Sequence, residues 1–311
     1  MTAKTIIIRA EDRAFKGQGH RSRAEAIYQA CQKAGLPTHI LISDRLWEEE
    51  LKNKKIKTLK LENVGGNKSE ADELFQLTEE IRPEYFVLDG TRFGVKFLET
   101  FKERSAKTIL VDDNYEANKS ASWAVINPNI YAKKELYNKT HFEKILAGPD
   151  YILLRKDFQA KLTEKKETGV VLLALGVSGN EDLLGSLKRK IMEIGLKVEI
   201  ARNFSAAQMI ESIDLASIVV CGASVTLHEV WARARNAIPV YQAEDQLLFK
   251  EWCLEKSIPY ATSINTSTDS SVKCIMKLVE ENLKRDSLLL PEINCAGADN
   301  AVNKLFDDMK I

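Results

Sequence analysis

The sequence lacks net charge: 45 Lys and Arg balance 45 Asp and Glu across 311 residues. Without a basic excess there is no broad attraction to nucleic acid or to an anionic membrane surface, although a local pocket for a small anion stays open. Long apolar runs are also missing. The run Val170–Val177 is far shorter than the ~20 residues that span a bilayer, so no integral membrane segment is expected. The opening run Met1–Ile8 meets Arg9, Glu11 and Asp12 too soon for a secretory leader, which sets a cytoplasmic expectation. The cysteines Cys31, Cys221, Cys253, Cys274 and Cys295 are odd in number and form no C-x-x-C pair. They read as free, mostly buried thiols in a reducing compartment. No low-complexity segment or short repeat appears.

What is present is an alternation of short β-branched runs and longer amphipathic ones. The length suits two domains of roughly 150 residues each, and 44% hydrophobic with 29% charged residues is ordinary globular composition. Strands are expected at Thr5–Arg9, His39–Ser43, Lys57–Leu61, Tyr85–Asp89, Thr108–Asp112 and Trp123–Ile126. Helices are expected at Arg21–Ala34, stopped by Gly35, and from Ser69, with Asp72 completing a capping box, to a point before Pro83. The charge-dense stretch Lys156–Thr168 reads as a boundary, giving domains at 1–155 and 168–311. Beyond it the alternation restarts. Strands fall at Gly169–Leu175, Lys197–Ala201, Ser217–Cys221, Pro239–Gln242 and Pro259–Ala261. Helices fall at Glu181–Ile194, Ala206–Ile213, Thr226–Asn236, Asp245–Lys256, Asp269–Arg285 and Asn300–Met309. The order implies parallel sheets with helices on both faces, a cleft between two halves, and ligand loops at strand C-termini.

Four loops carry chemistry. Gly17-Gln18-Gly19-His20 joins a strand to a helix, where glycines admit close backbone approach and the helix N-terminus favours an anion. A neutral imidazole can take a proton from water, which suits His20 as a general base; a helix-capping role is the alternative. The fingerprint G-x-G-x-x-G fails because Arg23 takes the third glycine position, which counts against a nicotinamide cofactor. Cys221–Glu229 forms a second strand–loop–helix. Its amides suit a diphosphate, and Glu229 either holds a ribose diol or complements the helix dipole in the first turn. His228 reads as structural. Leu175–Asn180 is a similar loop. In Gln242–Gln246, Asp245 and Gln246 either face the cleft or cap the next helix. Asp112-Asp113 has no histidine nearby and no D-x-D pattern, so neither a metal nor a cofactor is expected, and a structural or rim role is preferred.

These motifs together resemble the UDP-sugar hydrolases of pseudaminic acid biosynthesis and their spore-coat polysaccharide relatives. The matching segments are Ile8-Arg9-Ala10 leading to Gly17–Arg23, Val87-Leu88-Asp89, Ile109–Asp113, Gly148–Phe158 as G-P-x-Y-x-L-L-R-x-x-F, Gly222–Glu229, Ile238-Pro239, and Asp245-Gln246. The resemblance spans nearly the whole chain. It implies an α/β fold of glycosyltransferase-B type, two Rossmann-like domains with a central cleft and the nucleotide on the second. It also implies metal-independent release of UDP by water attack at the anomeric carbon of an amino-deoxy sugar. His20 takes the family's catalytic position and Glu229 its ribose position. Gly17, Gly19, Arg21 and Asp89 fall on the sugar side, and Gly222, Ser224, Val225, Thr226 and Gln246 on the nucleotide side. Two positions depart from the pattern: Thr91 replaces a tyrosine, and Asp245 an asparagine. Asp245 either places a charge near the diphosphate, unfavourable unless paired, or hydrogen-bonds His20 and raises its basicity. The rival readings are an inverting glycosyltransferase of the same fold and a non-catalytic nucleotide-sugar-binding paralogue.

Overall fold

A computed structural model describes residues 5–12, 18–117, 122–137, 142–159, 168–176, 180–284 and 290–307. The chain divides into two compact units: Met1–Arg155 with Ala296–Ile311, and Lys156–Cys295. Unit 1 runs β1 (Ile6–Ala10), α1 (Gly19–Lys33), β2 (Thr38–Ile42), α2 (Arg45–Asn53), β3 (Thr58–Lys60), α3 (Lys68–Leu77), β4 (Tyr85–Asp89), α4 (Val95–Glu103), β5 (Lys107–Val111), β6 (Ala124–Asn127) and β7 (Lys144–Ala147). Its strands pair in parallel in the order β3-β2-β1-β4-β5-β6-β7. A central parallel strand is covered on both faces, which is why β1 is a continuous apolar run. Ile6 and Ile8 pack with Ala24, Ile27 and Cys31 of α1. Ile7, on the opposite face by the two-residue period, packs with Leu74 of α3 and Phe97 and Phe101 of α4. Full burial of each such isoleucine contributes about 1.5–3 kcal/mol.

Unit 2 runs β8 (Val170–Ala174), α5 (Glu181–Glu193), β9 (Lys197–Ile200), α6 (Ala206–Leu215), β10 (Ile218–Gly222), α7 (Val225–Ala232), β11 (Ala237–Tyr241), α8 (Leu247–Glu255), β12 (Ala261–Thr262) and α9 (Thr268–Leu283). Its parallel order is β12-β11-β10-β8-β9. Val171 and Leu173 of β8 pack with Leu187 and Ile191 of α5 and with Ile275 and Val279 of α9.

The last helix, α10 (Gly297–Leu305), corrects the sequence reading, which placed it in the second domain. It belongs to unit 1. Ala298, Ala301, Val302, Leu305 and Phe306 form one helical stripe that joins the α1 side of the first core. Lys33 of α1 pairs with Asp299 at 2.6 Å. Gly297 lets the helix lie directly on the chain at Ile152, whose backbone nitrogen and carbonyl oxygen occupy the space a Cβ at 297 would need. The cap of α3 also differs. Asn67, not Ser69, accepts from the Glu70 amide at 3.2 Å, and Asp72 pairs with Lys68 at 2.6 Å instead of closing a capping box. Helices α2 and α4 and strand β7 were not expected. Among the described residues no helix is long and apolar enough to cross a membrane.

Candidate active site

In an open parallel sheet, ligands settle at the strand C-termini where the strand order reverses, because the connections leave to opposite faces and open a crevice. In unit 1 the reversal lies between β1 and β4. The loop after β1 leads to α1 and the loop after β4 to α4. In unit 2 the reversal lies between β8 and β10, which lead to α5 and α7. The loops singled out in the sequence follow three of these strands: β1, β8 and β10. Gly17 and residues 177–179 lie outside the described residues.

Helix α1 begins at Gly19, with no side-chain cap from Gln18 and no acid in its first turn. His20, whose side chain is 15% exposed, places Nδ1 2.7 Å from Asp89 Oδ1 at the end of β4. Arg23, one turn along, forks onto the same carboxylate: Nε donates to Oδ2 at 2.8 Å and Nη2 to Oδ1 at 2.7 Å. Its Nη1 reaches Asp113, after β5, at 2.7 and 3.0 Å. Asp113 also accepts from Asn129 Nδ2 at 2.9 Å, and its carbonyl from the Tyr131 hydroxyl at 2.8 Å.

These contacts set the charge on Asp89 and Arg23. Burial alone would raise the Asp89 pKa; the Arg23 and His20 charges and hydrogen bonds overcome it and hold the carboxyl at about 2. Burial opposes the Arg23 charge in the same way, but Asp113 and Asp89 prevail and push its pKa up. Asp89 is therefore an acceptor only, and its 2.7 Å contact with His20 calls for a hydrogen on Nδ1. Arg23 Nη2, itself only a donor, stands 2.9 Å from the same nitrogen and already donates to Asp89 Oδ1 at 2.7 Å, so the Asp89 contact sets the tautomer. That tautomer leaves the lone pair on Nε2, the arrangement a general base requires. With a neutral imidazole, Arg23 against Asp89 and Asp113 sums to +1 − 2 = −1. A proton taken by Nε2 would bring the group to neutrality.

Within unit 1 the carboxylate partner of His20 is Asp89. Asp245 lies in unit 2, exposed in the 3-10 turn Glu244–Gln246. Arg21 serves the scaffold: it pairs with Asp44 at 3.2 Å and lies over the Trp47 ring at 5.4 Å. Thr91 is exposed on the turn after β4. Asp112 holds its loop, accepting from the amides of Asn114, Glu116 and Ala117 and from the Tyr137 hydroxyl at 2.7 Å.

In unit 2, β10 ends at Gly222 and α7 starts at Val225. Ser224 at the N-cap is extended and makes no side-chain cap, in contrast to Asn180, which accepts from the Asp182 amide at 2.8 Å. The Val225 and Thr226 amides have no partner within the helix, so Ser224, Val225 and Thr226 present donors suited to a phosphate. Glu229 is in the second turn, not the first, and is 4% exposed. A dipole role therefore does not account for it. Its charge, after burial, pushes up the pKa of Cys221 at the end of β10. His228 is buried with its ring 5.5 Å from Phe249, as the structural reading expects. Gln246 is committed to its own loop, accepting from the Gln242 amide at 2.8 Å. The unforeseen neighbour is Gln242, whose Oε1 stands 2.7 Å from where a Cβ on Gly222 would be.

No protein-family model and no curated protein matches the sequence. Solved structures do resemble it along its whole length. They include an S. aureus MnaA–UDP co-structure (TM-score 0.68, 9% identity, covering 98% of this chain and 97% of that one). A UDP-GlcNAc 2-epimerase from Methanocaldococcus jannaschii is also similar (0.62, 13%, 98% and 100%), as is MurG of Acinetobacter baumannii (0.60, 12%, 98% and 99%). The fold is α/β, of glycosyltransferase-B type, with two Rossmann-like units.

Proposed function

We propose that this chain hydrolyses a UDP-activated amino-deoxy sugar at the anomeric carbon and releases UDP. The observation that carries the reading is the His20–Asp89 pair at 2.7 Å, which leaves Nε2 free to accept a proton at the strand-order reversal of unit 1. The uridine diphosphate class is supported by structural relatives whose names include UDP or UDP-GlcNAc. Hydrolysis is supported by the sequence resemblance.

In the proposed step, Nε2 takes one proton of a water whose oxygen bonds to the anomeric carbon. The bond from that carbon to the UDP oxygen breaks, and its electron pair leaves with UDP. Asp89 and Arg23 are positioning residues: Asp89 fixes the tautomer and offsets the imidazolium, and Arg23 keeps Asp89 ionised. In unit 2, Ser224 and the Val225 and Thr226 amides take the diphosphate, with Glu229 assigned to the ribose. The proton then passes to solvent. The same base would equally deprotonate an acceptor hydroxyl, and a forosaminyltransferase and a glycosyltransferase are among the structural relatives. UDP release from a panel of UDP-activated amino-deoxy sugars tests the reading. Wild type is expected to release UDP without an acceptor, and His20→Ala to be slower by a factor on the order of 10²–10⁴. Equal rates would remove His20 from the mechanism. Release only with an added acceptor would favour transfer.

A further inference from the structure

Three charged residues cluster at the end of β1, and only two are used by the scaffold. Arg9 donates to Glu70 at 2.8 Å and to Asp12 at 3.1 Å. Asp12 accepts from the Ser43 hydroxyl at 2.7 Å and the Asp44 amide at 3.0 Å. Glu11 differs. It is 3% exposed, and its Oε2 is buried with no hydrogen-bond donor among the described residues. Its amide donates to the Asp89 carbonyl at 2.8 Å, which sets it at the β1/β4 reversal beside the residue that holds His20. The side chain lies over the residue after β4: a Cβ on Gly90 would stand 3.1 Å from Glu11 Cβ and 3.4 Å from its Oε2, with Phe93 Cε2 at 3.1 Å.

Buried side-chain acceptors are nearly always paired, and an ionised carboxylate oxygen can only accept. An oxygen with no donor among the described residues, at the crevice of a parallel sheet, is complementary to a ligand N–H or O–H. A diphosphate, itself an anion without donors at neutral pH, would be repelled there. We propose that Glu11 accepts a hydrogen bond from an O–H or N–H of the sugar and is a specificity-determining residue of this site. The proposal rests on the reading of the chain as acting on a UDP-sugar.

Calorimetric titration of the full chain with UDP, UDP-glucose and UDP-N-acetylglucosamine tests it, using wild type, Glu11→Gln and Glu11→Asp. UDP is expected to bind all three proteins within twofold. Glu11→Gln is expected to weaken at least one UDP-sugar tenfold or more relative to UDP. Loss confined to UDP-N-acetylglucosamine assigns the N–H donor, and loss shared with UDP-glucose assigns an O–H. Should Glu11→Gln fail to fold, Glu11→Asp, with its carboxylate drawn back by one methylene, carries the test with an expected loss of threefold or more. UDP-sugars that bind wild type and variants in an unchanged ratio to UDP overturn the role of Glu11 while leaving the UDP-sugar reading intact. UDP binding without binding of either UDP-sugar overturns it as well. A wild type that binds none of the three overturns both.

Discussion

Replacing Asp89 by asparagine probes the constellation through its proton linkage. At neutral pH the change leaves the buried Arg23 with Asp113 as its one charged partner and replaces one of the two carboxylate oxygens that Arg23 and His20 share by an NH2 donor. Breaking a buried pair in this way costs about 3–5 kcal/mol. The pH dependence is more diagnostic than the size. The Asp89 pKa falls from 3.8 to about 2 on folding, which corresponds to about 2 kcal/mol of stability. Because the folded value is the lower one, that stability is fully present above pH ~4 and is lost as pH falls towards ~2. The asparagine side chain has no proton to take up, so the variant does not lose it. The stability gap between wild type and Asp89→Asn is therefore expected to shrink by about 2 kcal/mol between pH 5 and pH 2. Other carboxylates, such as Asp12, whose pKa is also lowered, titrate in both proteins and cancel. Urea titrations across this range, followed by amide exchange in peptides over Tyr85–Asp89, read unit 1 by itself. A gap that stays constant with pH would refute the placement of a charged Asp89 between His20 and Arg23.

Two further outcomes follow from packing. Gly297→Ala drives a methyl group into the backbone at Ile152 and is expected to destabilise unit 1 by about 1–3 kcal/mol, measured by urea unfolding, without changing UDP affinity. Burial pushes the pKa of Cys31 and Cys253 up to about 12, and Cys221 is also buried while Cys274 is exposed and Cys295 intermediate. Ellman's reagent at pH 8 is expected to titrate no more than two thiols in the native chain and five in denaturant; rapid labelling of more than two would contradict the packing.

The strands that run through both cores were the most legible. Tyr85–Asp89 was read with its observed bounds, because a strand buried on both faces is a plain apolar run between polar neighbours. Helix α2, Arg45–Asn53, buries only Trp47 and Leu51, and two apolar anchors among charges leave little periodic signal. Helix α4 carries a clearer one, with Phe97, Leu98 and Phe101 buried behind Gly94. The final helix was recognised as a helix, but its partner is α1, more than 260 residues earlier by the Lys33–Asp299 pair, and amphipathic spacing names no partner. The site follows the same rule. His20 and the Gly222–Glu229 loop were visible as local motifs. In the sequence, Arg23 is only the residue that breaks a dinucleotide fingerprint. Its pairing with Asp89, 66 positions away, and Asp113, 90 away, exists only once the sheet brings β4 and β5 beside α1. Glu11 entered only as one of the charges that end the first apolar run.

Hydrolysis in oxygen-18 water tests the central claim most directly, because it reports which bond the water breaks. With a UDP-activated amino-deoxy sugar that the chain turns over, mass spectrometry is expected to find one heavy oxygen on the anomeric carbon of the released sugar and none in UDP. The label is expected to appear in His20→Ala only at its reduced rate. Heavy oxygen in the UDP phosphate, or full-rate labelling of the sugar without His20, would contradict water attack at the anomeric carbon under His20 base catalysis.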